Sequence, residues 1–332
     1  MKVLFHTHTL NYRGVAGAVR DYARYNQEIL GNESIILYNS HHKYVKDEGN
    51  EQSVVDKFKE EFKVIGYNGN HAFKEVSNIC EKENLDLAYF IKAGCKAQEL
   101  PCDLFDEKII NTSKTAVHCV FQEFEPHGDR YAYISEWLSR HVHSITKQTV
   151  PYVPHIIKLP EPTKNYREML GVRPDQFLIG RIGGYYTFDI EFVKKQIEYL
   201  VSKTDRFVFV FIGTAPWIDH PNVKFTQEIH DVQLKTDLIN SCDAGIHARM
   251  RGESFGLSIA EFLYLNKPIL AFNGGHDLNH LLMLNNSGLL YEESNLIDKI
   301  QELPSMTNIE WSKRVKSFSP EIVMKKFKDV FL

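Results

Sequence analysis

Short apolar runs alternate with amphipathic segments along the chain. In the first half, we predict strands from such runs at 3–5, 35–38, 63–65, 87–91, 116–121 and 131–134. Between the first two runs, Ala16, Val19 and Ala23 follow the spacing of one helix face. Strands that alternate with helices are typical of a parallel sheet covered by helices, so this half predicts one such sheet.

Residues 151–162 interrupt the pattern with four prolines. Neither a helix nor a central strand tolerates that density, so we predict an interdomain linker there. Beyond it we predict strands at 177–182, 207–212, 223–225, 244–247, 269–272 and 288–291. Helices are predicted at 189–201, 231–240, 256–265, 277–284, 294–302 and 320–331. The pattern therefore predicts an α/β protein with two doubly wound, Rossmann-like domains.

Composition narrows the class of protein. The 332 residues carry a formal net charge of −4, which argues against a nucleic-acid binder. Five cysteines, an odd number without paired short spacing, indicate reduced thiols and a cytoplasmic protein. The apolar run at the first residues is too short for a signal peptide, and no run approaches the ~20 apolar residues of a transmembrane helix. A peripheral membrane contact stays open.

The stretch 244–265 carries the clearest chemistry. A strand leads into a loop with Glu253, and a helix is predicted to open near Phe255, with Glu261 about two turns further on. The N-terminus of such a helix suits a diphosphate because its backbone N–H groups are unpaired and its dipole is positive there. Glu253 could accept sugar hydroxyls and Glu261 those of a ribose. The alternative is an ordinary helix with two surface acids. Predicted donor contacts in the turn are Ser254, Phe255, Gly256 and Leu257.

The Glu253-x7-Glu261 spacing resembles the E-x7-E signature of retaining nucleotide-sugar glycosyltransferases, especially glycosyltransferase family 4. Lys267-Pro-Ile-Leu-Ala and Asn273-Gly-Gly follow in the family's order, and the resemblance is strong from about 177 to 291. It implies a GT-B fold with its active site in a cleft between two domains. The first domain would be 1–155, joined by the C-terminal helix 318–332, and the second, nucleotide-sugar-binding domain would be 156–317.

The resemblance also implies an activity. Such an enzyme moves a sugar from a UDP- or GDP-linked donor to a hydroxyl of a glycan or glycoconjugate, with retention and without a metal or other cofactor. Cationic side chains and helix N-termini neutralise the leaving diphosphate instead.

Arg181 matches the family arginine that grips the diphosphate, a task that suits a planar guanidinium. The alternative is a solvated surface arginine. Family members usually carry a lysine five or six residues later, and this chain has none there. Arg249 and Arg251 are the nearest substitutes in sequence.

The remaining candidates rest on position. Gly14 and Gly17 resemble the family's first glycine-rich loop, which approaches the diphosphate and acceptor, although an ordinary turn uses the same residues. Thr226 follows a strand where the family's backbone reads the nucleobase. His118 lies near the family's acceptor-site histidine and is a catalytic candidate; a core histidine is the alternative.

Two other classes of function stay open. Without the lysine, the chain could bind a nucleotide sugar and transfer it poorly or not at all. His6 and His8 resemble the opening His-x-His of metal-dependent phosphoesterases, but no Asp-x-His follows. His276 and His280 have helical i,i+4 spacing without the glutamate of a zinc-protease motif, and we interpret them as a surface pair.

Overall fold

A computed structural model describes residues 1–41, 49–68, 72–95 and 114–332, so Cys102 lies outside the described residues. The chain divides into two compact units, residues 1–156 with 320–332 and residues 157–319. Each unit contains a six-stranded sheet in which all neighbouring strands are parallel. The predicted fold class, α/β with two doubly wound Rossmann-like domains, is confirmed.

The elements of residues 1–156 follow the predicted alternation. The strands are β1 (Lys2–Thr7), β2 (Glu33–Asn39), β3 (Lys63–Tyr67), β4 (Leu87–Lys92), β5 (Lys114–Cys119) and β6 (Arg130–Tyr133). The helices are α1 (Gly14–Glu28), α2 (Gln52–Glu61), α3 (Ala72–Glu83) and α4 (Glu136–Thr146).

The elements of residues 157–332 restart the alternation. The strands are β7 (Phe177–Ile182), β8 (Phe207–Ile212), β9 (Val223–Thr226), β10 (Ala244–His247), β11 (Gly252–Glu253), β12 (Ile269–Phe272), β13 (Asp277–Leu278) and β14 (Leu290–Tyr291). The helices are α5 (Glu191–Lys203), α6 (Val232–Ser241), α7 (Leu257–Tyr264), α8 (Asn279–Met283), α9 (Leu296–Met306) and α10 (Pro320–Phe331). A 3-10 helix, Trp311–Phe318, precedes α10. None of the described helices is both long and apolar enough to cross a bilayer.

Both large sheets have the strand order of a Rossmann-type sheet. The first runs β3-β2-β1-β4-β5-β6, and the second, read from its other edge, runs β9-β8-β7-β10-β12-β14. The order reverses direction between β1 and β4 in the first sheet and between β7 and β10 in the second. Ligands of doubly wound proteins bind beyond the carboxyl ends of the strands at this reversal, so these two places are the candidates.

Helix α10 packs into the core of the first unit. The ring of Phe327 lies 5.5 Å from the rings of Tyr22 and Tyr89 and 6.1 Å from that of Phe5. All four side chains are buried. The last helix of the chain therefore contributes to the same core as the first strand.

In the second unit, two glycines let α7 lie close against the sheet. A Cβ on Gly245 of β10 would come within 2.8 Å of Phe262 on α7, and one on Gly180 of β7 within 2.5 Å of Cys242 and 3.3 Å of Phe262. Larger residues would push α7 away, because a packed interior has no room for added atoms. The glycines thus fix α7 at the reversal of strand order.

Several predicted bounds are wrong. The helix predicted at 277–284 is a two-residue strand, β13, followed by the short α8, because residues 277–278 pair with β11. The strand predicted at 288–291 starts only at Leu290, since Gly288 has a φ of 75° and lies in a bend of the backbone. Strand β5 ends at Cys119 rather than 121, and α9 continues past 302. Helix α2 and the 3-10 helix were not predicted.

Buried histidines make the stability of the first unit sensitive to pH. Burial lowers the pKa of His118 to about 3 and that of His155 to about 4, while an unfolded histidine titrates near its ordinary 6.5. The unfolded chain therefore binds more protons below pH ~6.5, and the stability present above that pH is lost as pH falls toward the folded values. The expected loss is about 1.4 kcal/mol per pH unit for each histidine. Urea unfolding at pH 7.5 and 5.5 measures it; equal midpoints would contradict this account.

Candidate functional site

Glu253 is placed by an unusually close backbone crossing. Strands β11 and β13 pair, with Gly252 opposite Asp277 and Glu253 opposite Leu278. A Cβ on Gly252 would lie 2.1 Å from the carbonyl oxygen of Asp277, and the φ of Gly252 is 75°. Only glycine tolerates both the positive φ and the close contact with Asp277. Gly252 therefore fixes the position of the next residue, Glu253, at the crossing.

Two neighbours hold one oxygen of the Glu253 carboxylate. Nε2 of His247 donates to Oε1 at 2.9 Å, and Nη1 of Arg249 donates to the same atom at 3.3 Å. No hydrogen bond reaches Oε2 from any residue that the structure describes. Burial raises the pKa of Glu253, but the hydrogen bond from His247 and the charge of Arg249 outweigh it and hold that pKa below its ordinary value. Glu253 is therefore an ionised carboxylate with one oxygen left to accept a hydrogen bond.

The turn after Glu253 opens α7. Ser254 is partly exposed and Phe255 is buried, while Gly256 has a φ of 97° and caps the helix. The helix begins at Leu257, within two residues of the predicted opening near Phe255, and its first intrahelical bond runs from the Ala260 amide to the Gly256 carbonyl at 3.0 Å. No side chain in the described part of the chain caps this end. The amides of 257–259 therefore face whatever lies before the helix.

Arg181 is buried and bonded to the protein at both ends of its guanidinium. Nη1 donates to the Gly213 carbonyl at 2.9 Å and to Oγ1 of Thr214 at 2.6 Å. Nη2 donates to the Gly184 carbonyl at 3.0 Å and to Oγ1 of Thr187 at 2.6 Å. Burial lowers the pKa of Arg181 to about 10. Arg181 thus ties the loop after β7 to the loop after β8, and its contact with a diphosphate stays a prediction.

The two predicted substitute arginines point to different partners. Arg249 is one-third exposed and lies beside Glu253, and its charge also acts on Arg181. Arg251 instead donates from Nε to Oδ2 of Asp277 at 3.0 Å. The structure therefore brings Arg181, Arg249 and Glu253 together at the end of β7 and β10, whereas Arg251 braces the β11–β13 crossing.

The remaining donor candidates are dispersed. Glu261 forms an ion pair with Lys235 of α6. Thr226 ends β9, where its carbonyl accepts from the Gly213 amide at 3.1 Å. In the first unit, α1 begins at Gly14, and a Cβ on Gly17 would meet no atom within 4 Å. Gly14 and Gly17 are exposed in the first turn of α1 rather than in a loop, and their contact with a donor stays a prediction.

His118 does not fit the predicted catalytic role. Its ring is fully buried, Nδ1 accepts from the hydroxyl of Tyr89 at 2.6 Å, and Nε2 faces the carbonyls of Tyr133 at 3.2 Å and Val153 at 2.9 Å. Both ring nitrogens serve the core and neither is open to an acceptor. This is the geometry of the alternative stated above, a satisfied core histidine.

The other histidine patterns gain no support as metal sites. Nε2 of His6 lies 3.0 Å from the hydroxyl of Tyr67, and the rings of His6 and His8 stand edge to face. Across the described ranges, no three His, Cys, Asp or Glu side chains are grouped as a metal site needs. The interpretation of His276 and His280 as a surface pair is wrong, since His276 is exposed but His280 is 1% exposed.

Sequence reasoning missed two residues of the site. His247 ends β10 and bonds Glu253. Asp189 pins the loop between them, because its carboxylate accepts from the Met250 amide at 2.7 Å and its amide donates to the Ala248 carbonyl at 3.1 Å. The sequence signal that could have identified His247 is its position, because it is the last residue of a predicted strand, six residues before Glu253.

Several solved structures resemble this one over nearly their whole length. A glycosyltransferase from Rickettsia africae has a TM-score of 0.72 at 14% identity, covering 99% of this chain and 97% of its own. HepE from Anabaena, in complex with UDP and glucose, has 0.73 at 12%, covering 99% and 98%. Sucrose-phosphate synthase from Thermosynechococcus elongatus has 0.69 at 11%, covering 99% and 98%. Likeness at this level of identity shows the fold. No family model matches the chain, nor does any curated protein.

Proposed function

We propose that this protein is a retaining glycosyltransferase. It moves a sugar from a nucleoside diphosphate sugar to a hydroxyl of a glycan or glycoconjugate, and it needs no metal. The observation that carries the proposal is the free Oε2 of an ionised Glu253, beside Arg249 and just before the uncapped start of α7, at the reversal of strand order. Since HepE, which has the same fold, is in complex with UDP and glucose, we favour a UDP-linked donor over a GDP-linked one.

The site residues divide the work of binding the donor. Glu253 accepts a hydrogen bond from a sugar hydroxyl through Oε2. Arg249 and the first amides of α7 face the diphosphate and stabilise the charge that grows on it as the bond to the sugar breaks. Arg181 acts less directly, since it holds together the loop after β7 and the loop after β8 while adding positive charge.

Transfer itself requires no protein nucleophile. The acceptor oxygen bonds to the anomeric carbon on the face that the diphosphate leaves, so the configuration is retained. The proton of the acceptor hydroxyl passes to the departing phosphate oxygen. The protein contributes orientation and charge stabilisation, which can account for large rate enhancements on their own.

The hydrogen bonds of Arg181 favour a second candidate function. Its terminal nitrogens already bond to protein oxygens, and no lysine follows it in the loop after β7. A donor site with less cationic character would bind a nucleotide sugar and transfer it slowly. Folds of this kind host more than one activity. Binding without release of the diphosphate would indicate this alternative.

The first prediction concerns donor turnover. Release of the nucleoside diphosphate is measured from UDP-glucose, UDP-galactose, UDP-N-acetylglucosamine and GDP-mannose, with a panel of glycan acceptors. We expect Glu253→Ala to lower turnover by about a hundredfold, because it removes one charged hydrogen bond of up to about 3 kcal/mol. Glu253→Gln should be comparably severe, because an amide that keeps its oxygen toward His247 and Arg249 turns its NH2 group, a donor, toward the sugar. Near wild-type turnover in both variants would contradict the proposal.

The second prediction concerns metal. We expect turnover to persist in excess EDTA, because Arg249, Arg181 and the α7 amides supply the positive charge. The control is the same EDTA-treated protein after addition of Mg²⁺ or Mn²⁺, which should not raise the rate. Loss of turnover in EDTA that is restored by metal would overturn this part of the mechanism.

The third prediction separates the two arginines. Arg249→Ala should weaken UDP binding by about ten- to a hundredfold, the value of a charge-assisted contact of roughly 1.5–3 kcal/mol. Arg251→Ala is the matched control and should change it by less than about twofold, because the Arg251 guanidinium is held by Asp277. Uridine, which lacks phosphates, should bind all three proteins alike. Calorimetric titration decides; if Arg249→Ala keeps its affinity for UDP, the substitution hypothesis fails.

A further inference from the structure

His247 stands where the second sheet meets the site. It is the last residue of β10, which pairs with β7 at the reversal of strand order. Its carbonyl accepts from the hydroxyl of Tyr291 at 2.8 Å, and the whole residue is only 9% exposed. The backbone and ring are thus held in the packed interior, with the ring directed at Glu253.

The ring of His247 makes a single hydrogen bond within the described part of the chain. Nε2 faces Oε1 of Glu253 at 2.9 Å, and Nδ1 is buried without a hydrogen-bond partner. Because a carboxylate oxygen only accepts, Nε2 must carry the hydrogen. The neighbouring ring of His280, 6.0 Å away, packs against His247 but gives its Nε2 to the Phe272 carbonyl. Within the described residues, the ring of His247 therefore forms a hydrogen bond to Glu253 alone.

His118 shows what a core histidine does in this same protein. Both of its nitrogens are bonded to buried groups. His247 and His280 both have a buried Nδ1 without a partner among the described residues, but Nε2 of His280 faces the Phe272 carbonyl. What distinguishes His247 is that its one ring hydrogen bond goes to the carboxylate of the candidate site.

We infer that His247 is a positioning residue, which holds Oε1 of Glu253 so that Oε2 is directed at the donor sugar. The inference rests on the proposed function. A glutamate side chain has several rotatable bonds, and fixing them before the donor arrives removes an entropy cost from binding. Arg249 cannot do this alone, since its bond to Oε1 is 3.3 Å long and its flexible side chain is one-third exposed. The imidazole is short, rigid and buried.

The test uses two amides of different reach. The terminal nitrogen of glutamine falls close to the Nε2 of histidine, whereas that of asparagine reaches only to Nδ1. His247→Asn should lose the hydrogen bond and His247→Gln should restore it. Affinities are measured for UDP and for whichever of UDP-glucose, UDP-galactose, UDP-N-acetylglucosamine and GDP-mannose binds wild type most tightly; for GDP-mannose, GDP replaces UDP.

The expected result is a selective loss. His247→Asn should bind the nucleotide sugar about tenfold more weakly, with the free diphosphate unchanged, because Glu253 contacts the sugar and not the nucleotide. His247→Gln should stay within about twofold of wild type for both ligands. In a Glu253→Gln background, His247→Asn should add nothing, since a residue that acts through Glu253 is coupled to it. The exposed His276→Asn is the control and should match wild type.

The possible outcomes separate the proposed function from the positioning role of His247. A wild-type protein that binds none of the four nucleotide sugars overturns the proposed function. If wild type binds and Glu253→Gln weakens sugar binding while His247→Asn does not, the positioning role is overturned and the proposed function stands. Equal weakening of diphosphate and nucleotide sugar in His247→Asn indicates a purely structural residue and also overturns the role. Should His247→Asn not fold, His247→Gln decides alone: a tenfold loss for the sugar ligand contradicts the inference.

Discussion

The candidate site depends on one constraint, the placement of an ionised carboxylate at the carboxyl edge of a parallel sheet. A half-buried charge is costly unless it is paired, and Glu253 is paired through one oxygen only. His247 and Arg249 both donate to Oε1, which leaves Oε2 as an acceptor. Because the two donors come from β10 and the loop after it, the sheet sets the position of the carboxylate. The sheet in turn is held in place by the burial of its apolar strands.

Close packing at glycines transmits that constraint to the rest of the site. Gly180 and Gly245 let α7 lie against the sheet, and Gly252 lets the loop cross Asp277. In each place a Cβ would meet another atom at 2.9 Å or less. The start of α7, the Glu253 carboxylate and the Arg249 guanidinium therefore share one edge of the sheet. Arg181 belongs to the same construction, since it ties the loops after β7 and β8 together.

The sequence predicts most of the large strands correctly, but it identifies the residues of the candidate site less well. Strands β7, β8, β10 and β12 have the predicted bounds because buried parallel strands are continuous apolar runs ended by turns. The two-residue strands β11 and β13 were beyond prediction, since their pairing joins residues 25 positions apart and leaves no periodic signal. For histidines, an apolar neighbourhood fits both a core residue and a functional one. The deciding fact is which group the ring nitrogens bond, a core carbonyl for His118 and the Glu253 carboxylate for His247, and this is visible only in three dimensions.

A crystal structure of the protein with UDP is the decisive measurement, because it locates the nucleoside diphosphate without requiring knowledge of the sugar or acceptor. The account predicts the diphosphate at the ends of β7 and β10, with the amides of 257–259 and the guanidinium of Arg249 on its oxygens. Glu253 should keep its bond to His247, with Oε2 directed to the side of the terminal phosphate where the sugar would be. UDP bound away from this edge, or a Glu253 carboxylate turned away from the terminal phosphate, would contradict the account.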